Sequence, residues 1–154
     1  MLATVGTINV TPGASNVIAG QVQFSLDVRH PEDPVRTGAV SALERRVHQV
    51  ASTRSLGVEW RIARDHPAVP CDPSLTTRLA EAVAAAGLPI ERLPSGAGHD
   101  AVVMSEVVPV AMLFVRCAGG ISHHPAESVM TSDVAAAFDV LDRFVKMLAD
   151  EKLG

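Results

Sequence analysis

Val22-Gln-Phe-Ser-Leu-Asp-Val28 is the most regular alternation in the sequence, and its reading decides the fold class of the N-terminal part. Val22, Phe24, Leu26 and Val28 share one face of an extended chain, while Gln21, Gln23, Ser25, Asp27 and Arg29 share the other. A strand with one apolar and one polar face belongs to an antiparallel sheet covered on one side. Upstream, Ala3 to Val10 reads as a further strand, ended by the turn signal Thr11-Pro12-Gly13. Downstream, Asp33-Pro34 offers an N-cap followed by Pro at the first helical position. Val35, Ala39, Leu43, Val47 and Val50 continue at helical spacing, and Gly57 is placed to end that helix region. Val58, Trp60 and Ile62 alternate as a third strand. Strand, strand, helix, strand over residues 3–66 is an open α+β layer with few elements. It leaves an edge or a face for something else to cover.

His66-Pro-Ala-Val-Pro-Cys-Asp-Pro73 carries three prolines in eight residues and reads as a crossing between domains, 1–70 and 71–154. Beyond it the pattern changes. Asp72-Pro73 starts a helix with Leu75, Leu79, Ala82, Val83 and Ala86 on one face and Gly87 behind it. Val107 to Val115 is nearly continuous in apolar residues, as a strand buried on both faces would be. A last helix begins near Ser132 and carries Val134, Phe138, Leu141, Val145 and Leu148 at three- and four-residue steps. Helix, apolar strand, loop, helix is the grammar of an α/β layer with parallel strands, so the fold class is α/β overall.

With 154 residues and 47% apolar side chains, a core can form; disorder, collagen and a disulfide scaffold are excluded. The 13 Lys+Arg against 17 Asp+Glu give a net charge of −4 without blocks of like charge, and Tyr is absent, so no nucleic-acid partner is expected. Cys71 and Cys117 fit no metal-finger spacing and read as buried free thiols in a reducing compartment. The N-terminus has no basic region followed by an apolar run, and no stretch has the length of a membrane span. The expectation is a cytoplasmic protein with no membrane partner.

In open α/β sheets, ligands gather beyond the carboxyl ends of the strands. The segment there, Arg116-Cys-Ala-Gly-Gly-Ile-Ser-His-His-Pro-Ala-Glu127, holds two histidines and a carboxylate. A neutral imidazole on such a loop suits zinc or manganese; it could equally hydrogen-bond the loop backbone. Pro94-Ser-Gly-Ala-Gly-His-Asp-Ala101 is glycine-rich without a P-loop lysine. Asp100 could cap a helix starting near Ala101 with His99 buried beside it, or the loop could line a site. Arg29, at the end of a polar strand face, could hold a carboxylate bidentately or pair with Asp27. Asn16, in Ala14-Ser-Asn-Val-Ile18, could donate an amide hydrogen bond or make an Asx turn.

The strings TPGASNVIAG…LDVRH, PSGAGHDA and GISHHPAE, in that order, resemble the hydantoinase/carbamoylase branch of the dinuclear-metal amidohydrolases in the zinc-peptidase superfamily. This branch includes allantoate amidohydrolase, N-carbamoyl-L-amino-acid hydrolase and β-ureidopropionase. The likeness runs from about Ala3 to Leu148. It departs at Ala19, where the family usually has proline, and at His124, where it usually has asparagine. The family's upstream motifs, which carry the other metal ligands and the glutamate general base, are not in this sequence. The resemblance therefore implies the C-terminal portion of such an enzyme. That portion is an incomplete α+β lid or dimerisation domain, followed by the C-terminal α/β segment of the catalytic domain. By resemblance His123 is a ligand to one of two divalent ions, Zn or Mn, while Asn16 and Arg29 reach the substrate, Arg29 at its carboxylate. Gly96, Gly98, His99 and Asp100 line the site, and no catalytic base lies in this chain. The implied reaction is hydrolysis of a carbamoyl or ureido C–N bond in a small carboxylate substrate, by a homodimer joined through the lid sheet. The 154 residues alone are expected to be inactive. Two alternatives are a non-catalytic dimerisation module and a related aminoacylase or dipeptidase.

Overall fold

The computed structural model describes residues 1–151 and combines helix and strand, an α/β fragment. Its contacts divide the chain into two compact units, Met1–Ala68 and the residues from Val69 onward.

The first unit opens with four short strands, β1 (Leu2–Thr4), β2 (Ile8–Thr11), β3 (Gln21–Phe24) and β4 (Asp27–Arg29). They form two antiparallel pairs, β1 with β4 and β2 with β3. The registers differ by one residue: Thr4 lies opposite Asp27, but Ile8 lies opposite Phe24. Val5-Gly6-Thr7 thus faces only Ser25-Leu26, which is one extra residue and so a β-bulge. Ser25 closes it. Its Oγ accepts the Thr7 N–H at 3.1 Å and bonds the Thr7 hydroxyl, and its N–H donates to Thr7 O. The single strand expected over Ala3–Val10 is broken at this bulge.

Helix α1 (Asp33–Thr53) starts one residue earlier than expected: Glu32 occupies the cap position and makes no side-chain cap bond. Asp33 is used elsewhere. Its carboxylate binds Arg36 and accepts the Ala68 N–H, while Arg36 also pairs with Asp65 at 2.6 Å. The helix ends at Ser55 rather than Gly57. Ser55 N–H donates to Ser52 O and Leu56 N–H to Ala51 O, with Ser55 at φ 56°, the bond pattern of a Schellman motif. Residues 58–62 form no ladder with any described residue. Val58 and Trp60 are half-buried and Glu59 and Arg61 exposed, but Ile62, expected on the same face as Val58 and Trp60, is 64% exposed, so the alternation in burial stops at Trp60.

In the second unit, α2 (Pro73–Ala85) is capped by Asp72, whose Oδ1 accepts the Leu75 N–H at 2.8 Å. It stops at Gly87, φ 74°, with the same pair of closing bonds from Gly87 and Leu88. Helix α4 (Thr131–Glu151) packs on α2. The core is Leu79, Ala82 and Val140, with Val83, Ala86, Leu113, Phe144 and Met147 against it. This corrects the expected face of α4. Of the expected residues, Val134, Phe138, Leu141 and Val145 form an exposed stripe and Leu148 is half-buried, while the adjacent stripe through Val140 and Phe144 meets α2. A helix apolar on two faces does not reveal in its spacing which one a given neighbour takes.

The strand expected over Val107–Val115 is also absent. A short helix α3 (Asp100–Met104) runs into a turn at Ser105–Val107, Val107 is 74% exposed, and the rest pairs in no ladder. Val107 and Val108 N–H instead donate to Met104 O at 3.1 and 3.0 Å, closing the turn after α3, and Val110 O accepts the Asp72 N–H at 2.8 Å. A strand buried on both faces needs ladder partners on both edges, and the described residues contain none. No helix among the described residues is long and apolar enough to cross a membrane.

Candidate functional site

The two glycine-rich loops of the second unit meet in one cleft of about 450 Å³. Ser95, Gly96 and His99 line it from one loop, Ser122, His123 and Glu127 from the other, with Phe114 and Cys117 between them. Of the sequence candidates, Gly96, His99 and His123 line this cleft, whereas Gly98 and Asp100 are not among the lining residues.

The loop before α3 is folded around Ser95. Its Oγ accepts the Ala97 N–H at 3.1 Å, donates to Ala97 O at 3.2 Å and shares a 2.6 Å hydrogen bond with His99 Nε2. The His99 ring lies edge-on to Phe114 with centroids 6.0 Å apart. His99 is exposed rather than buried, and Asp100 is the first residue of α3 rather than its cap.

The second loop starts from Gly119 and Gly120, at φ 65° and 68°, the sharp turn that glycines permit. His123 follows at φ 57°. An L-residue pays about 1–2 kcal/mol for this left-handed backbone, so something must hold it. Glu127 does: its Oε2 accepts the His123 N–H at 2.8 Å, and its own N–H donates to His124 O at 2.9 Å. The two histidines are thereby distinguished. His124 Nδ1 accepts the Ala126 N–H at 3.1 Å, an internal loop bond, and His124 does not line the cleft. An asparagine Oδ1 makes the same i to i+2 bond in an Asx turn, which is why histidine can stand at this position.

Cys117 and Cys71 are free, as expected, but half-buried, and Cys117 faces the cleft. Arg116 pairs with Asp133, whose hydrogen bond raises the guanidinium pKa above its ordinary value. Among the described residues no three His, Cys, Asp or Glu side chains gather as a metal-holding group. His123 offers one imidazole donor at the cleft.

Asn16 and Arg29 belong to the first unit. Asn16 sits in the exposed turn of the β2–β3 loop, which Gly20 N–H closes on Thr11 O at 2.9 Å. Arg29 grips Asp27 with Nε at 2.8 Å and Nη2 at 2.7 Å. That hydrogen bond draws the Asp27 carboxyl below the usual carboxylate range and raises the guanidinium. Both side chains are about half exposed. The surface pair is thus formed, and it holds the guanidinium in one orientation.

Comparison with known proteins places the chain. The profile of Peptidase family M20/M25/M40 matches residues 3–147, and the chain belongs to this family. It is 43% identical over 158 residues to the probable allantoate deiminase of Oryza sativa subsp. japonica, covering 94% of this chain and 32% of that protein. It is 36% identical over 142 residues to the N-carbamoyl-L-amino-acid amidohydrolase of a Pseudomonas species, covering 91% and 34%. The crystal structure of an amidase of the hydantoinase/carbamoylase family from Burkholderia multivorans matches with a TM-score of 0.88 at 36% identity, over 93% of this chain and 35% of that one. The resemblance read from the three motifs is borne out. The chain spans about a third of the length of the relatives it matches.

Other residues line the cleft beyond the sequence candidates, among them Ser95, Phe114, Cys117, Ser122 and Glu127. For Ser95 and Glu127 a signal existed: each lies four residues from a histidine of interest, within reach of a loop bond. Phe114 carried none, because its place depends on what folds across it.

Proposed function

We propose that this sequence is the C-terminal part of an amidohydrolase that cleaves a carbamoyl or ureido C–N bond in a small carboxylate substrate, such as allantoate or an N-carbamoyl-L-amino acid. The observation that carries this reading is the single cleft in which Gly96, His99 and His123 converge from loops more than twenty residues apart. In it His123 is one ligand of a two-ion centre, Zn or Mn, whose remaining ligands and general base lie outside these residues. Such ions supply a water of lowered pKa and polarise the scissile carbonyl. Residues 1–70 act as most of a lid and dimerisation domain, residues 71–154 as the closing segment of the catalytic domain, and the lid sheet joins two subunits.

This chain's own residues bind and orient. Arg29, presented in a fixed direction by Asp27, takes the substrate carboxylate in a two-pronged hydrogen bond. Asn16 donates an amide hydrogen bond from the loop tip. Binding energy at that end becomes orientation at the reacting carbonyl. Gly96 lets the chain approach the substrate closely, and the Ser95–His99 bond keeps that wall in shape.

The test is ammonia release from allantoate and N-carbamoyl amino acids by the native polypeptide that carries this sequence. His123→Ala is expected to lower bound metal and abolish turnover. Arg29→Ala is expected to raise KM strongly for carboxylate substrates, and an unchanged KM would remove its assigned role. Cleavage of acyl or peptide amides without ammonia release from ureido substrates would point to an aminoacylase or dipeptidase instead.

A further inference from the structure

His123 is held in a conformation that its own side chain does not explain. Among the described residues only Ser55 and His123 have positive φ without being glycine. Ser55 is accounted for as a helix stop, where closing backbone bonds reward the conformation. At His123 the compensation comes from one side chain, Glu127, which accepts the His123 N–H at 2.8 Å. Glu127 is bound into the same loop through its own N–H on His124 O, so the carboxylate is delivered from a braced backbone. Both residues line the cleft.

We infer that Glu127 is a positioning residue: by accepting the His123 N–H it keeps His123 left-handed and so sets the direction from which the imidazole enters the cleft. A turn of φ at a residue swings its Cα–Cβ bond, so an imidazole released to an ordinary negative φ would leave the loop elsewhere. The acceptor, not the charge, carries this role. Glutamine offers an equivalent oxygen at the same reach and alanine offers none. The catalytic consequence rests on the reading of His123 as a metal ligand; the backbone consequence does not.

The experiment compares Glu127→Gln and Glu127→Ala in the native polypeptide that carries this sequence, purified with its metal. Crystal structures give φ of His123, metal analysis gives the ions retained per subunit after dialysis, and kinetics give kcat and KM. The expected result is φ near its present value in the wild type and the glutamine variant, and a negative φ in the alanine variant. Metal retention and kcat should fall about 10–100-fold in the alanine variant with KM little changed, as for other groups that orient a ligand, and glutamine should restore most of both. In a His123→Ala background, Glu127→Ala should lower metal retention no further. A positive φ persisting in the alanine variant overturns the inference. So does a glutamine variant that keeps φ but is as inactive as alanine, because Glu127 would then act by its charge. If His123→Ala leaves metal and turnover intact while φ still follows Glu127, the reading of His123 as a ligand fails and the positioning survives.

Discussion

At the level of single residues, hydrogen bonds separate neighbours that look alike in the sequence. His123 and His124 are adjacent, yet His124 is spent on Ala126 inside its loop while His123 lines the cleft. His124→Asn should therefore leave turnover of the complete enzyme nearly unchanged, since asparagine accepts the same N–H. His124→Ala should cost about 0.5–1.5 kcal/mol of stability, read from a denaturant midpoint. Arg29 and Asp27 give a pH signature. The Arg29 hydrogen bond lowers the Asp27 pKa in the folded chain. The stabilisation from Asp27 is then complete above its unfolded pKa and is lost as pH falls through the lowered folded value. A carbon-detected titration of the Asp27 carboxyl should show a midpoint below the ordinary aspartate range, and Arg29→Ala should move it up.

Elements differ in how much of them can be read in advance. Both ends of α2 were legible, because Asp72 before Pro73 and Gly87 after the last turn are local signals with local causes. The end of α1 was not. Gly57 offered the usual stop, but the chain closes on Ser55 two residues earlier. Ser55→Gly should relieve left-handed strain and raise stability by about 0.5–1 kcal/mol, while Gly87→Ala should lower it by about 1–2 kcal/mol; thermal unfolding checks both signs. Strands were the least legible. The alternation from Val22 to Val28 points to one strand with a covered apolar face, but it forms two strands in separate pairs, with Val22 and Phe24 about half exposed. The extra residue that divides them sits on the opposite side, at Val5-Gly6-Thr7, where nothing in β3 or β4 signals it. The apolar run before Val115 and the alternation at Val58–Ile62 have strand chemistry without ladder partners in the described residues. In the site, the two loops were legible from their glycines and histidines. Their convergence over Phe114 was not, because it arises only from folding.

The whole molecule exposes more surface than its mass requires. A folded monomer of its 16.2 kDa exposes about 7500 Å², and two separate globules the size of its units about 9000 Å². This chain exposes 11983 Å², and its buried apolar side chains among the described residues are Ala51, Leu79, Ala82 and Val140. The indole Nε1 of Trp60 is buried without a partner among those residues, a cost of about 1–3 kcal/mol. The isolated 154-residue polypeptide should bind a hydrophobic dye such as ANS, and if the proposed reading as a C-terminal part holds, co-expression with the upstream segment should suppress that signal. Helix α4 makes the same point in another way. It turns Val140 and Phe144 to α2, sets Asp139–Arg143 and Asp142–Lys146 pairs along a polar side, and leaves Phe138 and Val145 bare on a third. Selection acts on whatever is covered in the living cell. A saturation library over α4, scored for growth or abundance, would accept lysine at positions 138 and 145 as freely as at 143 if that third side met only solvent. Rejection of lysine there would be a genetic imprint of a neighbour, read from tolerance alone.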